Sequence, residues 1–480
     1  MNPPFKTALL GIDEKTSISY AMLQQGVRQL AHLLEMAAVP QGSVINISCQ
    51  GRLNQAVYLL CGLQLPYIIS PLNPSYKKGE LGRIIDHSQT ALVITDQPTL
   101  FEDFPVKRLV ADVEGLCSVG ESTGVPTTFQ CPGQLLIYTS GTTGQPKGIL
   151  LTGQNIMKNT DEAIGAFGYT DQSVSASILP MFHTFTLISD LIPLIRQGGT
   201  CVICPTFTAQ SSFRIQQAIL DHGVQSFSAV PIIFQVMSSL FKPVAESPLA
   251  FVISGAAPLS ELVRLTYGQK FKHPIIPCYG LGEATCFATI SPMDGIKPKA
   301  VGKPAGIDIQ VVDSEDMERE LAAGQVGEIV VKGDSVIAAG YFKDRIERIC
   351  YTESGSFITG DLGYFDEEGY LYIAGRKKNM IIRGGEKVYL EDVDRCLEEI
   401  EMVKEGVSIA LVETGQQDQA ISFIVLKPGE IEDPQVIIDF IRSRLSIQHT
   451  PDQILFIDEI PRTKTGKPII NELRALSLVS

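Results

Sequence analysis

Hydrophobic positions in the first 375 residues follow two periods in turn, that of a helix and that of a buried strand. Leu23, Val27, Leu30 and Leu34 recur at helical spacing, and the apolar run at 44–47 that follows them is typical of a buried strand. The same succession recurs downstream, at 53–63, 67–69, 78–88 and 91–94. Such alternation with short connections predicts a large layered α/β domain with a mostly parallel sheet.

The pattern changes after Gly375. The stretch GRKKNMIIRGGEK (375–387) carries five basic residues against one acidic residue. A helical apolar face at 390–400 then precedes further elements that we predict at 407–412 (strand), 420–426 (strand), 434–445 (helix) and 453–460 (strand). These elements predict a small C-terminal α+β domain. We therefore expect an N-terminal domain over 1–377 and a C-terminal domain over 378–480.

Composition and charge narrow the class of protein. With 480 residues, 44% hydrophobic and 19% charged, the chain is expected to be globular with two or three domains. A formal charge of −14 argues against a nucleic-acid partner, which would need a basic surface. The longest apolar stretch, 56–70, is too short to span a bilayer and contains Pro66. The N-terminal MNPPFKTALLG lacks the features of a signal peptide.

The ten cysteines are scattered, and most lie in apolar runs. Scattered cysteines in apolar surroundings are typical of reduced, buried thiols rather than of a disulfide framework. Because thiols stay reduced in the cytosol, the cysteine pattern predicts a cytoplasmic protein. The sequence gives no indication of the oligomeric state.

One stretch, YTSGTTGQPKG (138–148), combines glycines, hydroxyl side chains and a lysine in a pattern that suits a phosphate chain. It is not the P-loop, in which Gly-Lys-Ser/Thr opens a helix. Here Lys147 lies between Pro146 and Gly148, and the residues at 149–151 are strand-like. The phosphate-binding segment is therefore expected to be a loop between two strands.

Four further motifs follow in order: YGLGEAT (279–285), TGDLG (359–363), GRKKNMI (375–381) and PRTKTGK (461–467). With the first motif they make the chain resemble the adenylate-forming superfamily of acyl-CoA synthetases, peptide-synthetase adenylation domains and luciferases. The resemblance covers essentially the whole chain. It implies that ATP activates a carboxylic acid as an acyl-adenylate with release of pyrophosphate, and that the acyl group then passes to a thiol.

The resemblance also implies where ATP and Mg²⁺ bind. The residues implied for the phosphates are Thr139, Ser140, Gly141, Thr142, Thr143, Gly144 and Lys147. Those implied for adenine are Gly255, Ala256, Tyr279 and Gly280. Glu283 would bind Mg²⁺, which prefers one or two carboxylates together with phosphate oxygens. Where the family usually has a threonine before this glutamate, the chain has Gly282, so a hydroxyl contact is either missing or supplied by Thr285.

Further roles follow from the C-terminal motifs. Asp361 and Arg376 would bind the ribose hydroxyls, as acceptor and donor. Lys467 would bridge the substrate carboxylate and the α-phosphate while negative charge develops. The small domain would be mobile, with Lys378 as the hinge, and Gly384 and Gly385 would line the tunnel for the thiol. That thiol is either coenzyme A or the phosphopantetheine of a carrier protein, and the sequence does not separate them.

The acid pocket is implied less specifically. His183 matches a position that closes the acyl pocket, and Thr186 aligns with the aspartate that binds the α-amine in amino-acid-activating relatives. Without that carboxylate, an acyl or aryl acid is favoured. Asp190 either lines the pocket and accepts an amine elsewhere on the substrate or faces away. The alternatives for the whole protein are a stand-alone adenylation enzyme for an amino-bearing acid, a non-catalytic nucleotide-binding relative and a luciferase-like oxygenase.

Overall fold

The computed structural model describes residues 6–118, 129–140, 146–243, 246–337, 341–343, 350–383, 386–411, 419–462 and 468–477. The chain forms two compact units. The first comprises Met1–Asp308 and Lys332–Cys350, and the second comprises Ile309–Val331 and Tyr351–Ser480. The domain boundary expected at residue 377 stays a prediction.

The strands of the described residues are labelled in chain order. They are β1 (Thr7–Gly11), β2 (Thr16–Ser19), β3 (Val44–Ser48), β4 (Ile68–Pro71), β5 (Leu92–Thr95), β6 (Lys107–Val110), β7 (Gln134–Ser140), β8 (Pro146–Leu151), β9 (Val174–Ser177), β10 (Thr200–Ile203), β11 (Ser226–Ala229), β12 (Val252–Ser254), β13 (Ile275–Tyr279), β14 (Thr289–Ile290), β15 (Lys303–Pro304), β16 (Asp308–Val312), β17 (Gly327–Lys332), β18 (Phe357–Phe365), β19 (Leu371–Arg376), β20 (Met380–Arg383), β21 (Glu386–Tyr389), β22 (Val403–Leu411), β23 (Gln419–Leu426) and β24 (Gln453–Phe456).

The α-helices are labelled in the same way. They are α1 (Tyr20–Met36), α2 (Arg52–Leu63), α3 (Lys78–Ser88), α4 (Val113–Leu116), α5 (Gly153–Phe167), α6 (Thr184–Thr186), α7 (Ile192–Gln197), α8 (Ser212–Asp221), α9 (Pro231–Leu240), α10 (Glu261–Phe271), α11 (Leu390–Leu397), α12 (Pro434–Arg444) and α13 (Ile470–Ser477). A π-helical turn, Leu187–Leu191, joins α6 to α7.

The first unit is built on two mainly parallel sheets. One has the strand order β15-β14-β13-β12-β11-β9-β10-β1-β2, and its pairs are parallel from β13 to β1. The other has the order β6-β5-β3-β4-β7-β8 and is parallel except for the last pair. Ligands of such sheets bind at the carboxyl ends of the strands. This layered α/β architecture confirms the fold class predicted for the N-terminal part.

The second unit combines a four-stranded sheet, β16-β17-β18-β19, in which β17, β18 and β19 are antiparallel neighbours, with the α+β elements that follow it. The hairpin β20-β21 precedes α11, and β22, β23 and β24 form a sheet in that order. A core of buried aliphatic side chains, among them Val393, Leu397, Ile437 and Ile441, holds α11 and α12 together with these strands. The predicted α+β character of the C-terminal part is thereby confirmed.

Local sequence explains where several of these elements begin and end. The Ser19 side chain accepts from the Met22 N–H and so caps α1, and Thr152 caps α5 in the same way. Gly168 ends α5 in the left-handed conformation, with φ 65°. The strand expected over 453–460 is shorter than predicted and ends at Phe456. The apolar residues that follow are therefore not part of the described sheet.

The ten cysteines are unpaired, and all but Cys350 are buried. Burial raises the pKa of Cys117, Cys131 and Cys204 to about 12, which keeps these thiols protonated and unreactive. This agrees with the interpretation of the cysteines as reduced buried thiols. Within the described residues, no helix combines the length and the apolar character needed to cross a bilayer.

Candidate active site

The glycine-rich stretch lies where the sequence placed it, between two strands. Strands β7 and β8 form an antiparallel hairpin in which Thr139 is paired with Lys147 and Ser140 with Pro146. From Pro146 to Leu151, the described residues that follow the loop form strand β8 rather than a helix. Several predicted phosphate contacts lie outside the described residues, namely Gly141, Thr142, Thr143 and Gly144, together with the side chains of Thr139 and Ser140.

Neighbouring segments fix the base of this hairpin. The Tyr138 hydroxyl lies 2.9 Å from Nδ1 of His87, and the two rings meet edge to face. On β8, the Gly148 carbonyl accepts from the Phe342 N–H at 2.7 Å. A side chain at position 148 would meet the Phe342 Cβ at 3.1 Å, so glycine allows this close approach. These contacts of Tyr138 and Gly148 therefore hold both strands of the hairpin in place.

Tyr341 joins two residues that the motifs place far apart in the sequence. The Tyr341 hydroxyl donates to Oε1 of Glu283 at 2.7 Å. The ammonium of Lys147 lies over the same ring, 5.1 Å from its centre, in a cation–π contact. A β-bridge between Ile149 and Tyr341 sets this position. The structure thus brings the predicted phosphate lysine and the predicted Mg²⁺ ligand to one aromatic ring.

The donor chemistry around Glu283 fits Mg²⁺. Its carboxylate is only half-buried, and a neutral hydroxyl rather than a cation bonds one oxygen. Mg²⁺ takes oxygen ligands, usually one or two carboxylates with phosphate oxygens and waters. An accessible carboxylate beside the hairpin that is predicted to bind phosphate would supply the protein's part of that set.

Packing explains the two glycines of YGLGEAT. A Cβ at Gly280 would lie 1.6 Å from the Cys286 carbonyl oxygen, an impossible distance. A Cβ at Gly282 would lie 2.6 Å from Cδ1 of Ile149. The Ile149 side chain therefore occupies the space in which the family's usual threonine would begin.

Thr285 does not replace that threonine in the described structure. It is fully buried, and its hydroxyl donates to the Ser335 carbonyl at 2.6 Å. With φ 67° and ψ −60°, and with the Cys286 N–H bonded to the Ala284 carbonyl at 2.8 Å, it is the centre of a strained γ-turn. The Thr285 hydroxyl thus donates its proton to a backbone carbonyl and does not supply the contact to phosphate that the family's threonine makes.

A buried amide holds the segment that follows the turn. Asn159 on α5 donates through Nδ2 to the Phe287 carbonyl at 2.8 Å and accepts from the Phe287 N–H at 2.9 Å. Both backbone groups are thereby satisfied inside the core. This clamp offsets the strain at the γ-turn and keeps the Glu283 segment in place.

The adenine segment follows β12. Gly255 is buried, and a Cβ there would lie 3.0 Å from the Phe185 ring. Ala256 is exposed and adopts a left-handed conformation with φ 65°. Tyr279 ends β13, the strand beside β12. The segments predicted to hold adenine therefore leave the sheet at neighbouring carboxyl ends, where a ligand is expected.

The residues predicted for the acid pocket lie at the start of one helical segment, in the case of His183, or within it, in the case of Thr186 and Asp190. His183 precedes α6, is half-buried and contacts the Phe182 ring in a tilted arrangement, with ring centres 4.5 Å apart. Thr186 is fully buried and donates to the Pro180 carbonyl at 3.0 Å. Asp190 is fully buried and hydrogen-bonded to Ser228 of β11. Asp190 is therefore not a solvent-facing helix residue.

The predicted ribose residues meet in the second unit. Asp361 on β18 is paired with Arg376 on β19, and Arg376 Nε lies 2.9 Å from Asp361 Oδ1. Asp361 is only 4% exposed, whereas its partner is half-exposed. Thr359, Gly360, Arg376, Lys377 and Lys378 line a cavity of about 400 Å³ beside this pair. The pair offers both an acceptor and donors to a sugar at the mouth of a cavity.

The predicted hinge residue, Lys378, lies in a short 3₁₀ segment, Lys377–Asn379, between β19 and β20. Glu391 of α11 bonds both ends of that segment: Oε1 accepts from the Arg376 N–H at 3.1 Å and from Asn379 Nδ2 at 3.2 Å. The predicted catalytic Lys467 and the predicted tunnel residues Gly384 and Gly385 lie outside the described residues.

Sequence reasoning missed the residues that connect the motifs. None of the motifs quoted from the sequence contains Tyr341, Ile149 or His87. Ile149 directly follows the first motif. Their roles depend on contacts across the chain, such as the Tyr341–Glu283 hydrogen bond, and no local pattern reports such contacts. Ser228 was missed for the same reason.

Comparisons with known proteins agree with this geometry. The AMP-binding enzyme family matches residues 1–342. The sulfoacetate–CoA ligase of Cupriavidus necator is 28% identical over 97% of this chain and 93% of its own length. The oxalate–CoA ligase of Arabidopsis thaliana is 26% identical over 95% and 93%. The structure of ATP-bound MatB from Rhodopseudomonas palustris has a similar fold, with a TM-score of 0.88, 24% identity, and coverage of 99% of this chain and 96% of that one.

Proposed function

The chain belongs to the AMP-binding enzyme family, and from this premise we propose that it activates a carboxylic acid with ATP and transfers the acyl group to coenzyme A. Enzymes of this type are acid–thiol ligases that form AMP. The observation that carries the proposal is the arrangement of Lys147 and Glu283 on the Tyr341 ring. A cation and a carboxylate of the kind that Mg²⁺ prefers thus contact one ring, at the hairpin that we propose to bind phosphate.

In the first half-reaction, an oxygen of the substrate carboxylate attacks the α-phosphorus of ATP, and pyrophosphate leaves. This displacement needs positioning and charge neutralisation more than covalent help. Lys147 and the hydroxyl-rich loop before it would hold the β- and γ-phosphates, and Lys467 would stabilise the charge that builds between carboxylate and α-phosphate. Bound Mg²⁺, held by Glu283, would neutralise part of the triphosphate charge.

Asp361 and Arg376 support the nucleoside end of the proposal. A carboxylate is a bidentate acceptor for two neighbouring hydroxyls, and a guanidinium adds donors in a fixed plane. The hydrogen bond of 2.9 Å between the two side chains orients Asp361 before any ligand arrives. The Arg376 side chain is half-exposed and so accessible to a sugar, whereas the Asp361 side chain is 6% exposed.

In the second half-reaction, a thiolate attacks the acyl carbon of the adenylate, and AMP leaves. We propose coenzyme A as the thiol because the two curated relatives described above are named as ligases that act with coenzyme A. The basic run 376–387 supports an anionic acceptor. The phosphopantetheine of a carrier protein is the competing acceptor, and the test below separates the two.

Two assays on the purified chain test the proposal. ATP–pyrophosphate exchange over a panel of fatty, aryl, dicarboxylic and amino-bearing acids reports the first half-reaction. Thioester formation, with coenzyme A and then with a phosphopantetheinylated carrier protein, reports the second. We expect exchange with at least one class of acid and thioester formation with coenzyme A. If no acid supports exchange, the proposed activity is wrong, and if only the carrier protein is acylated, the acceptor is wrong.

A further inference from the structure

Asp190 is a buried carboxyl group with an incomplete set of partners. It lies in the π-helical turn Leu187–Leu191, where every residue is buried. Its Oδ2 atom is hydrogen-bonded to the hydroxyl of Ser228, whereas its Oδ1 atom is buried and has no hydrogen-bond partner. A buried polar atom without a partner is costly, and in native proteins it usually indicates a missing ligand, a water or a functional role.

The surroundings of Asp190 contain hydroxyls and acids. Burial raises the pKa of Asp190 to about 7, and the groups that oppose this shift are the hydroxyls of Ser228, Ser189 and Ser175 and the backbone N–H of Ser228. The titratable groups coupled to it are Tyr169, Cys201 and Cys286, all of them acids. The groups that dominate its environment thus include no cation.

The number of protons in the hydrogen bonds around Asp190 also bears on its charge. Three hydrogen bonds run in line, from the Phe185 carbonyl to the Ser189 hydroxyl, from there to the Ser228 hydroxyl at 2.7 Å, and on to Asp190. Two serine hydroxyls contain only two protons. A third proton is available only when Asp190 is protonated, and its raised pKa of about 7 favours that form below neutral pH.

The location of Asp190 connects it to the predicted acid pocket. It lies four residues after Thr186, so the two side chains are one helical turn apart, roughly 5–6 Å between Cβ atoms. Ser228 lies next to the carboxyl end of β11. Cys286, which is coupled to Asp190, follows Glu283 by three residues. Asp190 thus lies among three segments that converge on the candidate active site.

We propose that Asp190 determines specificity by binding a basic amine of the acid substrate, one that is attached beyond the α-carbon. The inference rests on the proposed function and specifies its substrate class. An ammonium group supplies the donor that Oδ1 lacks and the positive charge that its surroundings lack. When it binds, Asp190 releases its proton to water, and a neutral buried carboxyl becomes one half of an ion pair.

Other substituents fit this environment less well. A second carboxylate would place two acids together without a cation. A purely apolar tail would leave Oδ1 buried and unpartnered, and a hydroxyl would satisfy Oδ1 without any charge. An α-amine would lie one turn away, beside Thr186, where the side chain carries no charge. An amine further along the substrate meets both requirements of Asp190.

The test uses matched pairs of acids with the purified full-length chain. Each pair consists of a straight-chain amino acid with its amine on the third, fourth or fifth carbon and the acid in which a methyl group replaces that amine. ATP–pyrophosphate exchange gives kcat and KM for both members. We expect the amino acid of the best pair to be favoured on the order of a hundredfold in kcat/KM, the scale of leaving a buried polar atom without a hydrogen-bond partner.

Two variants locate the effect. Asp190→Asn keeps the shape and removes the charge, and we expect it to lose most of the preference through KM while still activating the methyl analogue. Asp221→Asn, which makes the same change at an exposed residue of α8, should retain the preference. With the wild-type chain, the KM of the amino acid should fall as the pH rises through 7, because the bound state requires ionised Asp190, whereas the KM of the methyl analogue should not.

The outcomes separate the two proposals. Exchange with methyl analogues at rates equal to or above those of every amino acid overturns the role of Asp190 and leaves the proposed function intact. An unchanged preference in Asp190→Asn overturns it as well, and the wild-type comparison stands even if that variant does not fold. If neither member of any pair supports exchange and the wider acid panel is also inactive, the proposed function itself fails.

Discussion

At the scale of single residues, packing accounts for the departure of this chain from its family pattern. Gly282 stands where a threonine is usual, and Ile149 fills the space that a side chain there would need. The nearby Thr285 hydroxyl is committed to a backbone carbonyl. We therefore expect Glu283, with its hydrogen bond from Tyr341, to supply the protein's metal contact in this segment.

Removing the Glu283 carboxylate should affect metal use before it affects the fold. We predict that Glu283→Ala raises the magnesium concentration needed for half-maximal ATP–pyrophosphate exchange by roughly tenfold or more, the scale of losing a metal ligand or the group that supports it. Because the side chain is only half-buried, the thermal unfolding transition should stay unchanged.

Tyr341→Phe is the matched comparison, since it removes only the hydroxyl that bonds Glu283 and keeps the ring under Lys147. We expect a smaller shift in magnesium dependence from it. Wild-type turnover of Glu283→Ala at limiting magnesium would assign the metal to another ligand.

At the scale of elements, the short segment Lys377–Asn379 connects two parts of the second unit and carries the predicted hinge. Glu391 holds it at both ends, through the Arg376 N–H and the Asn379 side chain. Asn379 also accepts from the Ala410 N–H at 3.2 Å, which ties it to β22. A rotation about Lys378 would therefore keep the hydrogen bonds of Asn379 to α11 and β22. It would break the hydrogen bond from the Arg376 N–H to Glu391.

A proline at position 378 should separate the two half-reactions. Hinges work because a few residues absorb a large φ/ψ change, and proline fixes φ. We predict that Lys378→Pro keeps ATP–pyrophosphate exchange within a few-fold of wild type and loses most thioester formation, also when synthetic acyl-adenylate is supplied. Lys378→Ala removes the same side chain without fixing φ, so it should retain both activities. Equal loss of both activities in Lys378→Pro would point to misfolding or to a hinge elsewhere.

At the scale of the whole molecule, the predicted catalytic groups are divided between the two units. Lys147, Glu283 and Tyr341 belong to the first, and Asp361 and Lys467 belong to the second. The predicted hinge at Lys378 lies between Asp361 and Lys467 along the chain, so a rotation there would let one chain present different groups to the adenylation and thiol-transfer steps. The resemblance implies that Lys467 serves only the first of these steps.

This division predicts a selective defect in Lys467→Ala. We expect adenylation to fall on the order of a hundredfold or more, the scale of removing one preorganised donor from a developing charge. Thioester formation from synthetic acyl-adenylate should remain near the wild-type rate, because Lys467 is not needed after activation. Near-normal pyrophosphate exchange in the variant would remove Lys467 from the mechanism.

The sequence by itself determined what depends on neighbours along the chain. Helical and strand periods predicted α2, α3 and α12 almost to the residue, because burying one face of an element requires a local repeat. The position of Lys147 on a strand after the glycine-rich loop followed from the apolar residues behind it. The order of the motifs indicated the reaction class.

Only the tertiary structure decided which of these residues meet. The ring of Tyr341 between Lys147 and Glu283 depends on a bridge between distant strands, and the Asp361–Arg376 pair depends on the register of β18 against β19. The sequence left two orientations open for Asp190, and packing against Ser228 buried it. A local pattern sets the period of an element, whereas the partner of each side chain is set by the elements that pack against it.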